Sequence, residues 1–409
     1  MGEAELFARA SEAWHRGRPD EASKLLRALV DREPGHAAAL NTLGMIALNK
    51  GDCVNAISWL EQAAAAAPET APIRFNLFQA LDRAGEAERA LAALDAALCA
   101  DPNYLPANIM KADLLERLGR GPESLALFRA LIASDAPIDV MPEPVVRAFA
   151  RGRERVRADG ESRAAALEAP LAAVQAAWPG ADLSRARAYA EQRTGRRRIY
   201  VQQPVGGHFP YLPALEFFPR DLFPWLGDLE AKTAEIAAEL LAVIQGGAES
   251  FRPYVGFDPT MPVNQWAELN HSRRWSAFFF LEDGERHEEN IRRCPGTASL
   301  LESLPLLDLP GKGPTAMFSI LEPNTRIPPH TGSNNVRATI HLPLIVPQGC
   351  GFRVGAETRA WEVGKAWAFD DTIEHEAWNQ SGEPRAILIL DAWNPLLSEA
   401  ERAAVRLIG

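Results

Sequence analysis

The sequence of 409 residues is poor in cysteine and contains no long apolar run. Its cysteines are far apart in the chain, at Cys53, Cys99, Cys294 and Cys350. They form no Cys-x-x-Cys pair, so they predict neither a disulfide framework nor a cysteine-based zinc site, and they fit a reducing cytoplasm. A membrane span needs about 20 consecutive apolar residues, whereas the apolar runs at 63–67 and 277–281 are far shorter. The first residues lack the basic start and apolar stretch of a signal peptide. The sequence therefore predicts a cytoplasmic protein without a membrane span.

Positive charge is also scarce, since 43 Lys and Arg residues face 54 Asp and Glu residues and leave a net charge of −11. An acidic chain argues against nucleic-acid binding. A basic run at Arg193 and 196–198 points the other way, but so short a run at a domain edge is typical of solvated surface. We therefore expect no nucleic-acid partner. At about 100–200 residues per domain, the length predicts two or three domains.

The first third of the chain repeats with a period of 34 residues. The period is marked by small, apolar and helix-ending residues at Gly17, Gly51, Gly85 and Gly119, at Pro34, Pro68 and Pro102, at Ala22, Ala56, Ala90 and Ser124, and at Leu26, Leu60, Leu94 and Phe128. Glycine ends the first helix of a hairpin in a left-handed conformation, the small residue lets two helices approach closely, and proline stops the second helix. The pattern predicts an array of helical hairpins.

This array resembles the tetratricopeptide repeat, with about four units over residues 3–138. A solenoid of this kind presents a concave groove that commonly holds an extended peptide. We therefore expect a peptide or protein substrate to dock at residues 1–138, although an array that only dimerises or stabilises the protein is an open alternative. Residues 139–195 are predicted to be a helical connector, broken at Pro179-Gly180.

From residue 200 onward the pattern changes to prolines, aromatic residues and short apolar segments. Strands are predicted at 316–321, 337–346, 351–354, 366–369, 375–378 and 386–393. Helix is predicted at 228–243 and 288–303. Many short, evenly spaced strands are typical of a double-stranded barrel of the cupin or jelly-roll type. The predicted fold class is α+β multidomain, with an all-α solenoid followed by a double-stranded β-helix domain at 196–409.

Among the eight histidines, His330 and His375 lie in the predicted strand region with Arg385 ten residues further on. Two imidazoles on neighbouring strands of a barrel can bind one side of an Fe(II) ion and leave its other positions free for a chelating keto acid and O2. A guanidinium matches a carboxylate with two parallel hydrogen bonds. The spacing therefore predicts Arg385 as the residue that binds the far carboxylate of 2-oxoglutarate.

Residues 200–395 resemble the aspartyl/asparaginyl β-hydroxylase family of iron(II)- and 2-oxoglutarate-dependent dioxygenases. The resemblance rests on Phe318-Ser319-Ile320, Pro329-His330-Thr331-Gly332, Arg337, His341-Leu342, Trp361-Glu362-x-Gly364-Lys365, Phe369-Asp370-Asp371-x-x-Glu374-His375-Glu376-x-Trp378 and Asp391-x-Trp393-x-Pro395. It implies that His330 and His375 bind the iron and that Ser319 and Arg385 bind the distal carboxylate. It further implies that His341 lies near the proximal carboxylate and Arg337 near an acidic group of the substrate.

Two positions depart from the usual patterns. Gly332 occupies the place where most enzymes of this chemistry have a carboxylate ligand, an absence that the family shares and that a water is thought to fill. Asp371 is then either an outer partner of that water or of a histidine N–H, or the cap of a turn. Thr339 replaces an arginine that the family often has near the active site, which leaves Arg337 alone to bind an acidic side chain.

The sequence therefore predicts a dioxygenase that hydroxylates an unactivated carbon, with the β-carbon of an Asp or Asn residue in a recruited peptide or protein as the favoured target. Lipids, free amino acids and natural-product peptides are open alternatives for the substrate. Because radical halogenases of this fold also lack the carboxylate ligand, halogenation at the position opened by Gly332 is a second interpretation. A repeat scaffold without catalysis is a third.

Overall fold

The computed structural model describes residues 2–134, 137–138, 140–258, 260, 262 and 264–408. The chain divides into two compact units, residues 1–196 and residues 197–409. In the described part of the chain, no helix is both long enough and apolar enough to cross a membrane.

The first unit is helical throughout. Its paired helices are α1 Glu3–His15, α2 Pro19–Val30, α3 Ala37–Asn49, α4 Cys53–Ala66, α5 Ala71–Arg83, α6 Ala87–Ala100, α7 Leu105–Arg117 and α8 Gly121–Ala133. The four repeat glycines follow the first helix of each pair with φ between 70° and 82°, a conformation that disfavours other residues. The predicted hairpin array is confirmed.

Small residues let the helices of each pair approach closely. Ala22, Ala56 and Ala90 are fully buried, and in the second pair a Cβ added to Gly44 would overlap the side chain of Leu60. Because close packing excludes larger side chains at these positions, the 34-residue period of small residues is a packing requirement.

The remainder of the first unit is a long helix, α9 Glu143–Ala177, followed by α10 Ser184–Arg193. The chain between them contains the predicted break at Pro179-Gly180. Helix α9 packs on α8, where Gly152 lies against the ring of Phe128, and its Arg151 pairs with Asp113 of α7 at 2.6 Å.

The second unit is rich in β-strands. Its helices are α11 Leu226–Ala231, α12 Thr233–Gln245, α13 Glu288–Arg293, α14 Pro295–Ser303 and α15 Glu399–Ile408. Its strands are β1 Arg252–Pro253, β2 Trp275–Glu282, β3 Glu285–Arg286, β4 Ala316–Leu321, β5 Thr325–His330, β6 Arg337–Ile345, β7 Cys350–Val354, β8 Glu357–Arg359, β9 Trp367–Phe369, β10 His375–Asn379 and β11 Arg385–Trp393.

These strands form two antiparallel sheets. The seven-stranded sheet has the order β1-β2-β4-β11-β6-β9, with β3 beside β2, and the four-stranded sheet has the order β5-β10-β7-β8. From β4 onward the chain alternates between the sheets except at β7 and β8, which are neighbours in the four-stranded sheet. The predicted α+β class, with helical repeats followed by a β-rich unit, is confirmed.

The structure also contains strands that the sequence pattern did not indicate. β2 is a mostly apolar segment whose first six residues, including Ser276, are all buried, so it lacks the alternation that marks a half-buried strand. β5 contains Pro328 and Pro329, which argue against a strand. It lies at the edge of its sheet with an irregular register beside His375, and an edge tolerates residues without an N–H. The predicted helices 228–243 and 288–303 are each interrupted, at Lys232 and at Cys294.

Candidate active site

A cavity of about 740 Å³ opens in the second unit and is lined by both sheets. Alternate residues of β11 face it, from Arg385 at one end to Asp391 at the other, because successive side chains of a strand point to opposite faces. The cavity brings together every site residue predicted from the sequence, namely Ser319, His330, Arg337, His341, Asp371, His375 and Arg385.

His330 and His375 lie opposite each other on β5 and β10, with ring centroids 4.0 Å apart. Nδ1 of His330 is 2.8 Å from the carbonyl oxygen of Pro328, and Nδ1 of His375 is 3.0 Å from that of Ile373. A carbonyl oxygen only accepts, so each neutral ring carries its proton on Nδ1 and donates it. Nε2 of each ring therefore keeps its lone pair, which is the arrangement a metal-binding histidine requires.

Burial keeps these rings neutral. It lowers the pKa of His330 and places the pKa of His375 well below its ordinary value, with the neighbouring His330 lowering the latter further. Burial, followed by the charge of Arg385, has the same effect on the pKa of His341. Three neutral imidazoles thus face the cavity, as metal or hydrogen-bond ligands must.

Arg385 is a buried cation, only 2% exposed. Its Nε and Nη1 have no hydrogen-bond partner, and no acidic side chain of the described chain pairs with it. Burial lowers its pKa to about 10. The hydroxyl of Ser319, which faces the same cavity, accepts a hydrogen bond of 3.1 Å from the indole N–H of Trp275. An uncompensated guanidinium in an apolar interior is a site for an anion.

Arg337, at the other end of the cavity, is paired with two carboxylates, while its Nε has no hydrogen-bond partner. It forms an ion pair with Asp371 and a second one, at 3.3 Å, with Asp391. Burial acts to lower the pKa of Arg337, but the two carboxylates raise it above its ordinary value. Burial raises the pKa of Asp391, and the charge of Arg337 opposes that shift. Arg337 therefore lies between two acidic side chains in this structure.

Asp371 also occupies the space beside Gly332. A Cβ added to Gly332 would overlap the Asp371 carboxylate, and the Gly332 N–H donates to the backbone oxygen of Asp371 at 2.6 Å. The cap of the nearby turn is Asp370, which accepts hydrogen bonds from the N–H and hydroxyl of Thr372. The sequence left two roles open for Asp371, an outer partner of a water or a histidine N–H, and the cap of a turn. In the structure the neighbouring Asp370 caps the turn.

This overlap predicts a large effect of a small substitution. Gly332→Ala is expected to lower the free energy of unfolding by about 1–3 kcal/mol because the added methyl displaces the Asp371 carboxylate. In an Asp371→Ala background the same substitution should have a much smaller effect. Urea unfolding of the four proteins measures the difference, and an equal loss in both backgrounds would show that the overlap is irrelevant.

Aromatic side chains that the sequence did not predict as part of the site form one wall of the cavity. Trp275 stacks near Trp266 and Tyr254, with centroid distances of 6.0 and 4.1 Å, and Trp266 meets His330 edge-on at 4.9 Å. At the mouth, Val205, Tyr254 and Phe257 are 79%, 42% and 37% exposed. The aromatic residues at 275–280 were the available signal, but nothing in the sequence locates them beside His330.

Within the described residues, no group of three or more His, Cys, Asp or Glu side chains is arranged to hold a metal ion. A metal at this cavity would have the two imidazoles as its protein ligands, with its other positions open. An open coordination sphere is the property that lets a bound metal take substrates as ligands.

Comparison with known proteins agrees with both parts of the chain. Residues 230–395 match the family model for aspartyl/asparaginyl beta-hydroxylase, and residues 7–71 and 75–137 match that for the tetratricopeptide repeat. Both resemblances seen in the sequence are therefore confirmed.

Three curated relatives illustrate the similarity. Ornithine lipid ester-linked acyl 2-hydroxylase of Rhizobium tropici is 37% identical over 183 residues, which cover 44% of this chain and 60% of that protein. Human aspartyl/asparaginyl beta-hydroxylase is 30% identical over 239 residues, 53% of this chain and 29% of that protein. Aspartate beta-hydroxylase domain-containing protein 2 of Xenopus tropicalis is 30% identical over 212 residues, 51% and 55% of the two chains. The match thus spans less than two thirds of the length of each relative.

Proposed function

We propose that the protein is an Fe(II)- and 2-oxoglutarate-dependent dioxygenase that hydroxylates an unactivated carbon, as the match of residues 230–395 to the aspartyl/asparaginyl beta-hydroxylase model supports. The observation that carries the proposal is the pair of neutral imidazoles that faces the same cavity as an uncompensated buried guanidinium. When bound, iron and 2-oxoglutarate would supply the activation of O2.

The two histidines would hold the iron. Hydrogen bonds from Nδ1 to backbone oxygens orient both rings, and burial keeps both unprotonated near neutral pH. A histidine that the surrounding chain orients and keeps neutral binds a metal ion more tightly. Asp371, in contact with Arg337 and close to Gly332, would accept a hydrogen bond from a water on the open side.

The other end of the cavity would bind 2-oxoglutarate. Arg385 offers two free N–H groups to the distal carboxylate, and the Ser319 hydroxyl, already an acceptor from Trp275, can donate its own proton. His341 lies along the same cavity with Nδ1 unpartnered, which supports its role near the proximal carboxylate. A dianion bound at this place would compensate the buried charge of Arg385.

The halogenase interpretation is weakened by the space at Gly332. A chloride ligand would replace the missing carboxylate at this position, but the carboxylate of Asp371 lies directly over Gly332. A chloride at this position would have to share the space with that carboxylate, which already occupies it. Hydroxylation is therefore the reaction that we propose.

The sequence-based substrate is the β-carbon of an Asp or Asn residue in a peptide or protein that the repeats recruit. The match of residues 7–71 and 75–137 to tetratricopeptide repeats supports a peptide-docking role. The four cysteines are free thiols, which supports the proposed location in a reducing cytoplasm.

A second substrate class, the acyl chain of a lipid, is favoured by a specific feature of the cavity. Arg337 is already neutralised by two carboxylates, and Thr339 supplies no second cation for an acidic side chain. The mouth instead presents Val205, Tyr254 and Phe257, a surface that suits an alkyl chain. The acyl hydroxylase among the relatives has a name that agrees with this reading.

Mass spectrometry of full-length protein supplied with Fe(II), 2-oxoglutarate and O2 separates the two substrate classes. We expect a gain of one oxygen atom either in aspartyl and asparaginyl peptides or in acyl chains of membrane lipids, together with stoichiometric succinate. Chlorine in place of oxygen would favour the halogenase.

Anaerobic titration tests the cofactors directly. Adding Fe(II) and then 2-oxoglutarate is expected to produce a visible charge-transfer band that neither produces alone. If no band develops and neither ligand binds, the dioxygenase proposal is wrong and the scaffold interpretation gains support.

A further inference from the structure

Trp361 lies beside Arg385 in the segment between β8 and β9, at the end of the cavity where we place the distal carboxylate. The guanidinium carbon of Arg385 is 5.4 Å from the centroid of the Trp361 ring. The Trp361 ring also stacks on His341, at 5.6 Å and an interplanar angle of 17°. Trp361 lines the cavity, although neither the spacing of the sequence nor the family resemblance gave it a function.

The indole N–H of Trp361 is buried and has no hydrogen-bond partner. Leaving a buried donor unpaired is unfavourable, and indole N–H groups usually find an acceptor when they are buried. The surroundings of the ring, Phe352 at 5.4 Å and Trp367 at 4.7 Å, are aromatic. Phenylalanine would therefore satisfy the packing at this position, and the N–H is the part of Trp361 that packing leaves unexplained.

Three N–H donors without a partner belong to Arg385 and Trp361, which both line this end of the cavity. Arg385 contributes Nε and Nη1, and Trp361 contributes Nε1. One carboxylate can accept from several such donors, since its two oxygens offer about four lone pairs. An anion bound at Arg385 is the acceptor that both side chains lack.

We propose that the Trp361 indole N–H is a further donor to the distal carboxylate of the cosubstrate, and that Trp361 positions this carboxylate against Arg385. The proposal rests on the proposed function, because it takes 2-oxoglutarate as the ligand. Trp361 belongs to the connection after β8 and lines the cavity. The ring of Phe352 contacts both ends of this wall, with centroids 5.4 Å from Trp361 and 6.1 Å from His375.

The chain provides a matched control in Trp367. Its indole N–H is also buried without a partner, and its ring packs on that of Trp361, but it does not line the cavity. Trp361→Phe and Trp367→Phe remove the same atoms from neighbouring positions. Only the first is expected to affect an anion at Arg385.

The experiment is calorimetric titration of 2-oxoglutarate into the full-length protein loaded with Mn(II), which allows binding without turnover. Trp361→Phe is expected to weaken binding about tenfold or more, the loss of one hydrogen bond to a charged group. Trp367→Phe should remain within about twofold of the original protein, by the same scale. Trp361→His, which keeps a ring N–H, should recover part of the affinity, and Mn(II) affinity should not change.

A second measurement, by NMR, does not depend on the stability of the position-361 variants. In the unmodified protein, 2-oxoglutarate should shift the NMR signal of one buried indole N–H, and that signal should persist in Trp367→Phe. Equal 2-oxoglutarate affinity of Trp361→Phe and Trp367→Phe, with no indole shift, overturns the role of Trp361 and leaves the dioxygenase proposal intact. If the unmodified protein itself does not bind 2-oxoglutarate, both proposals are wrong.

Discussion

Alanine at either His330 or His375 is expected to abolish iron binding and the formation of succinate from 2-oxoglutarate. In the proposed site these two imidazoles are the protein ligands of the iron, so each substitution removes half of them. Each ring is also oriented through its Nδ1 by one backbone oxygen, as a metal-binding histidine usually is. Iron binding is followed by the anaerobic visible band and succinate by chromatography.

His287→Ala is the control for these variants. The His287 ring is partly exposed, contacts Glu282 at 3.1 Å and does not line the cavity. The His287→Ala protein should retain iron binding and turnover. Normal succinate formation by His330→Ala or His375→Ala would refute the role of that histidine as an iron ligand.

Replacing Arg385 by methionine should have opposite effects on binding and on stability. The affinity for 2-oxoglutarate is expected to fall by about 2 kcal/mol or more, because the distal carboxylate loses its charged partner. The melting temperature of the ligand-free protein should not fall. Arg385 is buried without an acidic partner and its pKa is lowered by burial to about 10, and replacing such a charge by an apolar side chain is often neutral or stabilising.

Arg353→Met provides the contrast, because Arg353 is a compensated cation. It pairs with Glu374 at 2.9 Å and Glu376 at 2.6 Å. Its removal leaves Glu374 without its cation and Glu376 with Arg326 alone, so it should lower the melting temperature, with little change in 2-oxoglutarate affinity. Calorimetry and thermal unfolding measure both quantities. An unchanged cosubstrate titration for Arg385→Met would contradict its proposed role.

The helical array was predictable because each of its features is local. A glycine with positive φ, a small residue at a helix contact and a proline after the second helix all act within one 34-residue unit. The 34-residue period is therefore enough to predict the helical hairpins of the first unit. The strand from Ala316 to Leu321 was predictable for a similar reason, since turn residues bound it on both sides.

The strands that were missed depend on their neighbours. β2 is buried on both faces, so its sequence has no alternation, and β5 tolerates two prolines because it lies at an edge. Neither position in a sheet is encoded within the segment itself. Local pattern therefore misses strands whose burial on both faces, or whose edge position, is set by their neighbours.

The candidate site was predictable in its ionisable residues and not in their pairing. His330, His375 and Arg385 are conspicuous by residue type, and the structure places all three around one cavity. The ion pair between Arg337 and Asp371 joins residues 34 positions apart, and it changes what Arg337 offers to a substrate. Contacts of this kind, like that of Trp361 with Arg385, arise only when distant segments pack.

The prolines of β5 also restrict how a peptide could approach His330. Pro328 and Pro329 have no N–H, and the ladder with β10 is irregular beside them. An incoming peptide could therefore not complete a regular hydrogen-bonded ladder along this stretch of the edge strand. Substrate capture by β-augmentation is thus disfavoured at this edge. Recognition next to His330 would have to rely on side chains, which leaves the backbone of the substrate free to vary.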